Sequence, residues 1–387
     1  MLDQIRETIR KNEAELFAAA AEIFDHPEIG REEYFASELL SKLLAEKGFS
    51  VERGIGGVET SFRATWERGE GGPAIGLMME YDALAGLGHG CGHHLQGPTA
   101  IGAALALMDC CGEPFKLVLY GTPDEERRGG KITMVENGCF TDCDVIFGCH
   151  TAGNTSVSNA NRALAPTRVI FRGTPSHASG SPEKGRSALD AMMLCFHGME
   201  ILREHVAEGC RIHYTVLEGT GPSNIVPATA KAHITLRAYD RRYLEDMYKR
   251  MENVVKGACL MTDTTAELEP LPVYWNYLTV PTLRELTLDC AEELGAPKIS
   301  RAAVRAGGST DIGNVSWVRP TLNVNMYYCD LTAHTEEYRD LGKSENARAA
   351  MISGSEIISL AALKIIQDPA LLQKITEEHK KLLAEEI

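Results

Sequence analysis

Apolar and polar positions along the chain follow two rhythms. Residues 2–24 and about 31–47 carry apolar side chains at helical spacing, and Asp25-His26-Pro27-Glu28-Ile29-Gly30 interrupts the pattern between them. Apolar runs of strand length follow at 61–66, 74–81, 115–120 and 144–147, with helical patterns at 97–108 and 131–137. Strand alternating with helix predicts an α/β domain around a mostly parallel sheet. From residue 167 the order becomes strand 167–171, helix 187–206, strand 212–217, strand 230–237, helix 242–261 and strand 265–272. This β-α-β-β-α-β order is that of a ferredoxin-like split unit. Helix 282–294, strand 321–326 and a final helical stretch at 344–366 return to the first rhythm. The pattern predicts a compact α+β domain, residues 166–276, inserted into an α/β domain formed by residues 1–165 and 277–387, with hinges near Ala165 and Asn276.

Composition narrows the function classes. A length of 387 residues suits two domains or three, and 44% hydrophobic residues suffice for a sizeable core. The net charge of -15 argues against a nucleic-acid partner and against docking on anionic membrane lipid. No apolar run is expected to span a bilayer, and residues 1–24 read as a first helix rather than a secretion signal. Eleven cysteines, an odd number set mostly in apolar runs, predict free thiols in a reducing cytoplasm. Cys139, Cys143 and Cys149 are close in sequence but match no zinc-ribbon spacing, and they read as small core thiols.

Candidate chemistry sits just after three of the strand-like runs. Gly88-His89-Gly90-Cys91-Gly92-His93-His94 follows the first, Gly121-Thr122-Pro123-Asp124-Glu125-Glu126 the second, and Gly148-Cys149-His150 the third. In an open parallel sheet the carboxyl ends of the strands share one crevice, so the three patches are expected to converge. A thiol, imidazoles and a carboxylate pair together suit a transition-metal centre with an adjacent base. Singly, each patch has a plainer reading: Cys91 and His93 as loop residues, Glu125 and Glu126 as a solvated helix start, His150 as a core histidine. Cys149 and His150 are neighbours on a strand and point to opposite faces, a poor arrangement for a thiol nucleophile and its base. His334 comes late; with Cys91, His93, Glu126 and His150 it makes more ligands than one tetrahedral ion needs, which suits two ions sharing a bridging group. Gly307-Gly308-Ser309-Thr310-Asp311 is a glycine-rich loop able to cradle an anion, without the lysine of a nucleotide-binding loop.

Taken in order, these segments resemble the aminoacylase/carboxypeptidase-G family of dinuclear metallopeptidases, in particular the branch of auxin-conjugate amidohydrolases and aminobenzoyl-glutamate hydrolases. The resemblance runs nearly end to end. It rests on His26-Pro27-Glu28-Ile29-Gly30, Tyr81-Asp82-Ala83-Leu84, His89-Gly90-Cys91-Gly92-His93, Gly121 to Glu126, and Phe147-Gly148-Cys149-His150. Ser176-His177-Ala178 with Pro182 and Gly185, Asn224-Ile225-Val226-Pro227, Gly308-Ser309-Thr310-Asp311 and His334 complete it. It implies a three-layer α/β/α catalytic domain of zinc-exopeptidase type with an inserted ferredoxin-like α+β lid that makes a homodimer. It further implies two divalent metal ions per chain, zinc first, with manganese or cobalt as alternatives. Cys91 would bridge them, with His93, Glu126, His150 and His334 as terminal ligands, Glu125 as acid/base and Asp82 as an orienting residue. His177 would reach the neighbouring subunit's site, and Asn224 and Arg237, with Gly308 and Ser309, would hold the carboxylate of the substrate. The implied reaction is hydrolysis of the amide bond of a small N-acyl amino acid or dipeptide. A non-catalytic metal- or peptide-binding protein on the same scaffold and a thiol hydrolase using Cys91 or Cys149 are the alternatives. His94 stands where the branch has Asp or Asn, and reads as a spare ligand or an orienting group. Arg127 and Arg128 stand where smaller residues are common; they read as solvated charges, with extra positive charge near a substrate carboxylate as the alternative.

Overall fold

The computed structural model describes residues 2–303 and 308–386. Its first part runs α1 (Leu2–Asp25), α2 (Tyr34–Glu46), β1 (Ser50–Arg53), β2 (Phe62–Arg68), β3 (Ala74–Met79), α3 (Gln96–Cys110), β4 (Phe115–Gly121), α4 (Gly130–Glu136), β5 (Val145–Ala152) and β6 (Ser156–Val157). The chain then forms β7 (Ala163–Arg172), α5 (Ala188–Glu204), β8 (Arg211–Glu218), β9 (Thr229–Ala238), α6 (Arg241–Thr262) and β10 (Thr265–Pro270). It closes with α7 (Pro281–Leu294), α8 (Ile312–Ser316), β11 (Thr321–Tyr327), α9 (Glu336–Asp340), α10 (Glu345–Gln367) and α11 (Pro369–Glu386).

Seven strands form one sheet in the order β1-β2-β4-β3-β5-β11-β6. The four central strands, β4, β3, β5 and β11, are parallel; β2 and β6 flank them antiparallel, and β1 pairs antiparallel with β2. Leu117 and Leu119 on β4 point into a core shared with α1, α3 and α10, whereas Val118 and Tyr120 point to the opposite face, toward α4 and α8. Both faces are covered, which explains why these strands read as unbroken apolar runs rather than alternating ones. The result is a three-layer α/β/α domain.

The second sheet has the order β10-β7-β9-β8, all antiparallel, with α5 and α6 packed on one face around a separate core. Ser187 caps α5 by accepting from the Asp190 N–H, and Asp240 caps α6 by accepting from the Tyr243 N–H, which sets where each helix starts. Ala165 lies within β7, paired with Leu236, and Asn276 is buried in the connection to α7.

Several elements differ from the reading of the sequence. β5 continues to Ala152, so His150 lies inside the strand and not at its end. β1 and β6 are short edge strands, and α11 is a further helix. By length and composition α10 could cross a bilayer, against the expectation that no stretch would; here it is largely buried, and its Ser355 hydroxyl donates to the Thr99 carbonyl inside the fold.

Candidate metal centre

The loop after β3 carries Cys91 and His93, and a glycine brings it to β5. Gly92 has φ 82°, and a Cβ there would meet the Thr151 hydroxyl at 2.2 Å. That hydroxyl donates to the Cys91 carbonyl at 3.0 Å, which fixes the loop beside His150. His150 Nε2 and His334 Nε2 each stand 3.3 Å from Cys91 Sγ, and Glu126 Oε1 lies 3.5 Å from His334 Nε2. The ligand atoms of Cys91, His93 and His150 lie within 4.8 Å of one another, and so do those of Cys91, Glu126 and His334. Cys91 Sγ is the shared corner of two triads.

The surrounding bonds aim these atoms inward. His93 Nδ1 is 2.9 Å from Asp82 Oδ1, and the other oxygen of Asp82 accepts from the Glu126 N–H at 2.9 Å. One buried carboxylate thus orients an imidazole and a glutamate together. His150 Nδ1 donates to the Thr151 carbonyl at 2.8 Å, leaving Nε2 with its lone pair toward Cys91. His93 Nε2 and Glu126 Oε1 are buried without a hydrogen-bond partner, a costly state for polar atoms unless a cation faces them. The donor set of thiol, three imidazoles and a carboxylate suits late divalent ions, so the residues fit a pair of such ions.

Electrostatics agree with that fit. Burial pushes the Cys91 thiol up to about 12, so a thiolate there depends on nearby positive charge. Burial opposes charge on His93, but Cys91, Glu80 and Asp82 outweigh it and push the imidazole well above its ordinary value. Burial, reinforced by Glu80 and Asp311, pushes Glu125 well above the carboxylate range. Glu125 follows Asp124, whose φ is 64° and whose carboxylate takes Arg31 Nε at 2.7 Å. Gly30 permits this approach, since a Cβ there would stand 2.0 Å from Asp124 Oδ1. The Asp124 N–H donates at 2.7 Å to Glu33, a buried carboxylate pushed up to about 7 by burial.

The structure brings Cys91, His93, Glu126, His150, His334, Glu125 and Asp82 to one place, and adds Arg237, Gly308 and Ser309 around an adjoining cavity of 860 Å³. Arg237 on β9 donates to Ser309 Oγ at 3.0 Å. A second cavity, of 420 Å³, meets the first at Glu125 and is lined by Asn154, Ser156, Asn159, Asn161 and Asn325. His177 and Asn224 are not brought there. They lie on adjacent exposed loops of the inserted domain, where the Ala178 N–H donates to the Asn224 carbonyl at 2.9 Å. His177 Nδ1 accepts from the Gly180 N–H at 3.1 Å, which leaves the ring proton on Nε2. His94 is not among the candidate ligands: its Nε2 donates to the Gly342 carbonyl at 2.9 Å and its ring packs on Phe24 and His89. Of the glycine-rich loop, Gly307 lies outside the described residues.

Sequence reasoning missed a buried ionic cluster behind Glu125. Lys131, fully buried, places Nζ 2.6 Å from Glu80 and 2.7 Å from Asp311. Burial works against its charge, but the two carboxylates win and push it above the ordinary lysine value. Glu80 also takes the Gln96 amide at 2.6 Å and lies 3.3 Å from His93 Nε2. The available signal was Lys131 itself, a lone cation between Gly130 and Ile132 at the head of an otherwise uncharged helix start.

Comparison with known proteins is consistent with this geometry. The family model of the peptidase dimerisation domain matches residues 159–261. The chain is 32% identical to the Xaa-Arg dipeptidase of Mus musculus, over 98% of this chain and 94% of that protein. It is 29% identical to one of the two p-aminobenzoyl-glutamate hydrolase subunits of Escherichia coli, over 94% of this chain and 91% of that protein. Its fold matches that of a dinuclear metal-binding peptidase of the M20 family from Bacillus subtilis, with a TM-score of 0.71 at 18% identity, over 92% of this chain and 99% of that one.

Proposed function

Because the chain belongs to the M20 family of metallopeptidases, we propose that it hydrolyses the amide bond of small N-acyl amino acids or dipeptides, with Glu125 as general acid and base. The activity class, a metal-dependent amidohydrolase or peptidase, follows from the family. The observation that carries the finer reading is Cys91 Sγ at the corner of two ligand triads, with the Glu125 carboxylate beside them. Relatives named as a p-aminobenzoyl-glutamate hydrolase and an Xaa-Arg dipeptidase support an amide bond to a terminal amino acid as the target, and placement in the branch of auxin-conjugate amidohydrolases and aminobenzoyl-glutamate hydrolases is part of this proposal.

Bound by Cys91, His93 and His150 on one side and by Cys91, Glu126 and His334 on the other, two divalent ions would polarise the scissile carbonyl and acidify a water; zinc is our first choice, with manganese or cobalt as alternatives. Glu125 takes one proton from the attacking water while the water oxygen bonds to the carbonyl carbon. It then delivers that proton to the amide nitrogen as the C–N bond breaks. Asp82 keeps His93 and Glu126 in register during this exchange. His177 presents its Nε2–H to the developing oxyanion in the site of a second subunit, with Asn224 beside it. Arg237, steadied by Ser309 and next to Gly308, grips the free carboxylate of the amino acid that leaves. A thiol mechanism is disfavoured: burial holds the Cys91 thiol near 12, and Cys149 is packed in the core of the opposite face.

The test is hydrolysis of N-acyl amino acids and dipeptides by purified protein of known metal content. We expect up to two divalent ions per chain and loss of turnover on chelation, restored by the metal salt. Full turnover by a rigorously metal-free preparation would sink the mechanism, and metal binding without turnover of any such substrate would favour the non-catalytic alternative.

A further inference from the structure

Among the described residues six that are not glycine have positive φ, and three of them, Arg31 at 73°, Asp124 at 64° and His334 at 67°, sit at the candidate centre. Such conformations cost energy and persist only where the surroundings impose them, which makes them pointers to function. His334 is a candidate ligand, and its N–H is held by the Gly90 carbonyl at 2.8 Å. Arg31 and Asp124 are not among the candidate ligands. They are far apart in the chain and bonded to each other: Arg31 Nε donates to Asp124 Oδ2 at 2.7 Å.

Asp124 is tied through both its backbone and its side chain. Its N–H donates to Glu33 Oε1 at 2.7 Å, and the Thr60 hydroxyl holds the other oxygen of Glu33 at 2.9 Å. Its carbonyl accepts from the Gly130 N–H at 2.9 Å, which closes the loop carrying Glu125 and Glu126. Its side chain is fully buried, with Arg31 as its cation, and Arg31 also donates to Thr133 Oγ1 on α4 at 3.0 Å. The pair thus fastens the segment before α2, and helix α4, to the residue that immediately precedes the glutamate pair.

The backbone at residue 124 sets the direction in which the next two side chains leave the chain. The ligand atoms of Glu125, Glu126 and His93 lie within 4.8 Å of one another. A productive constellation tolerates displacements of only about 0.5 Å, so a small rotation at Asp124 would misplace both carboxylates. Arg31 also lines the 860 Å³ cavity and could touch substrate there. Its charge is already met by a buried carboxylate, which favours a role in holding the turn.

Resting on the hydrolase reading above, we propose that Arg31 and Asp124 are positioning residues: their ion pair holds the left-handed turn that aims Glu125 at the attacking water and Glu126 at the cation. Neither touches substrate or metal.

Two variants separate charge from conformation. Asp124→Asn keeps the shape and a residue type tolerant of positive φ, and leaves Arg31 partly exposed to solvent; Asp124→Gly keeps only the conformational freedom. Each is checked for native circular dichroism and loaded with cobalt(II). It is then compared with wild type in cobalt affinity, visible absorption, and kcat and KM on an N-acyl amino acid or dipeptide that the wild type turns over. We expect kcat to fall roughly tenfold in Asp124→Asn and roughly a hundredfold in Asp124→Gly, the effect of a misplaced catalytic group. KM should change little, and the cobalt absorption of the glycine variant should shift as Glu126 moves. Unchanged kcat in both variants would overturn the assignment. So would a raised KM at unchanged kcat, which would make the pair a substrate contact. If the glycine variant does not fold, the asparagine variant decides by the same criteria. If the wild type hydrolyses no such substrate, the hydrolase reading falls, and cobalt absorption and affinity identical across the three proteins would overturn the positioning role separately.

Discussion

The strand-end centre and the inserted domain differ in how far one chain completes them. Around Cys91 bonds within one chain position the candidate ligands, as Asp82 holds both His93 and Glu126, while His93 Nε2 and Glu126 Oε1 are buried without a hydrogen-bond partner. The inserted domain leaves surface unused. Among the described residues the exposed large hydrophobic side chains are Tyr34, Leu331 and seven in this domain: Met193, Ile201, Val216, Leu217, Ile225, Leu260 and Met261. Its β8 is a sheet edge with most residues exposed, and His177 and Asn224 stand on loops that touch none of the candidate ligands. Apolar patches and open edges of this kind are covered by another protein surface when they persist. The candidate centre is thus assembled from side chains of a single chain, whereas the inserted domain, which matches a peptidase dimerisation domain, presents apolar surface and an open sheet edge suited to packing against another protein surface.

The largest effect should come from the glutamate pair. Glu125→Gln should keep metal and fold and lower kcat by roughly two to four orders of magnitude, as expected for loss of a general base. Glu126→Gln should lose metal instead, read by metal analysis. Retention of metal by the second variant and loss by the first would exchange the two roles.

Lys131 sharpens the same contrast on stability. Lys131→Met leaves Glu80 and Asp311 buried without their cation and should cost roughly 3–5 kcal/mol in urea unfolding. Lys231→Met on the inserted domain removes a half-exposed pair with Glu218 at 2.6 Å, and should change stability by less than about 1 kcal/mol. Comparable losses would break the distinction between the two regions.

The dependence of one region on a second subunit is open to complementation. His177→Ala and Glu125→Gln subunits, each inactive alone, should recover roughly a quarter of wild-type activity when randomly mixed, because half the dimers would hold one intact composite site. Recovery of none, with heterodimers demonstrated, would return His177 to a local role.

A pH-dependent effect concerns Glu33, whose carboxyl burial raises from 4.5 to about 7. Between these values the unfolded chain releases the proton and the folded one keeps it. Stability contributed by the protonated form is therefore complete below the unfolded value and is lost as pH rises through about 7. Glu33→Gln should remove up to roughly 3 kcal/mol of that loss, most visibly near pH 8. Parallel stability curves for the two proteins would show that Glu33 ionises normally.

Much of this candidate centre is legible in the sequence. The Cys-Gly-His spacing, the Glu125–Glu126 pair and His150 each follow an apolar run, and chain-local patterning places such runs in a sheet. The β-α-β-β-α-β order of the inserted domain was equally readable, because its periods change from strand to helix at nearly the residues where the elements do. What escaped was non-local. Glu80, Lys131 and Asp311 are far apart in sequence, and no local period reports a pairing of that range. The edge strand β6 has two residues, too few for any period. α10 has the length and hydropathy of a membrane span, and only its neighbours α1, α3 and α7 show it to be a core helix.

The sequence by itself determined the kinds of ligand and their order after the strands, since a parallel sheet brings the carboxyl ends of its strands to one edge. Tertiary structure alone decided that Cys91 is the shared corner, that Asp82 orients His93 and Glu126 at once, and that His94 turns away to Gly342. It also decided that His177 and Asn224 stay apart from the centre of their own chain, while arginines from both domains face a single cleft. These are matters of a few ångströms between residues distant in the chain. Metal ligation, hydrogen bonding and charge pairing all change over that distance, and local pattern does not encode it.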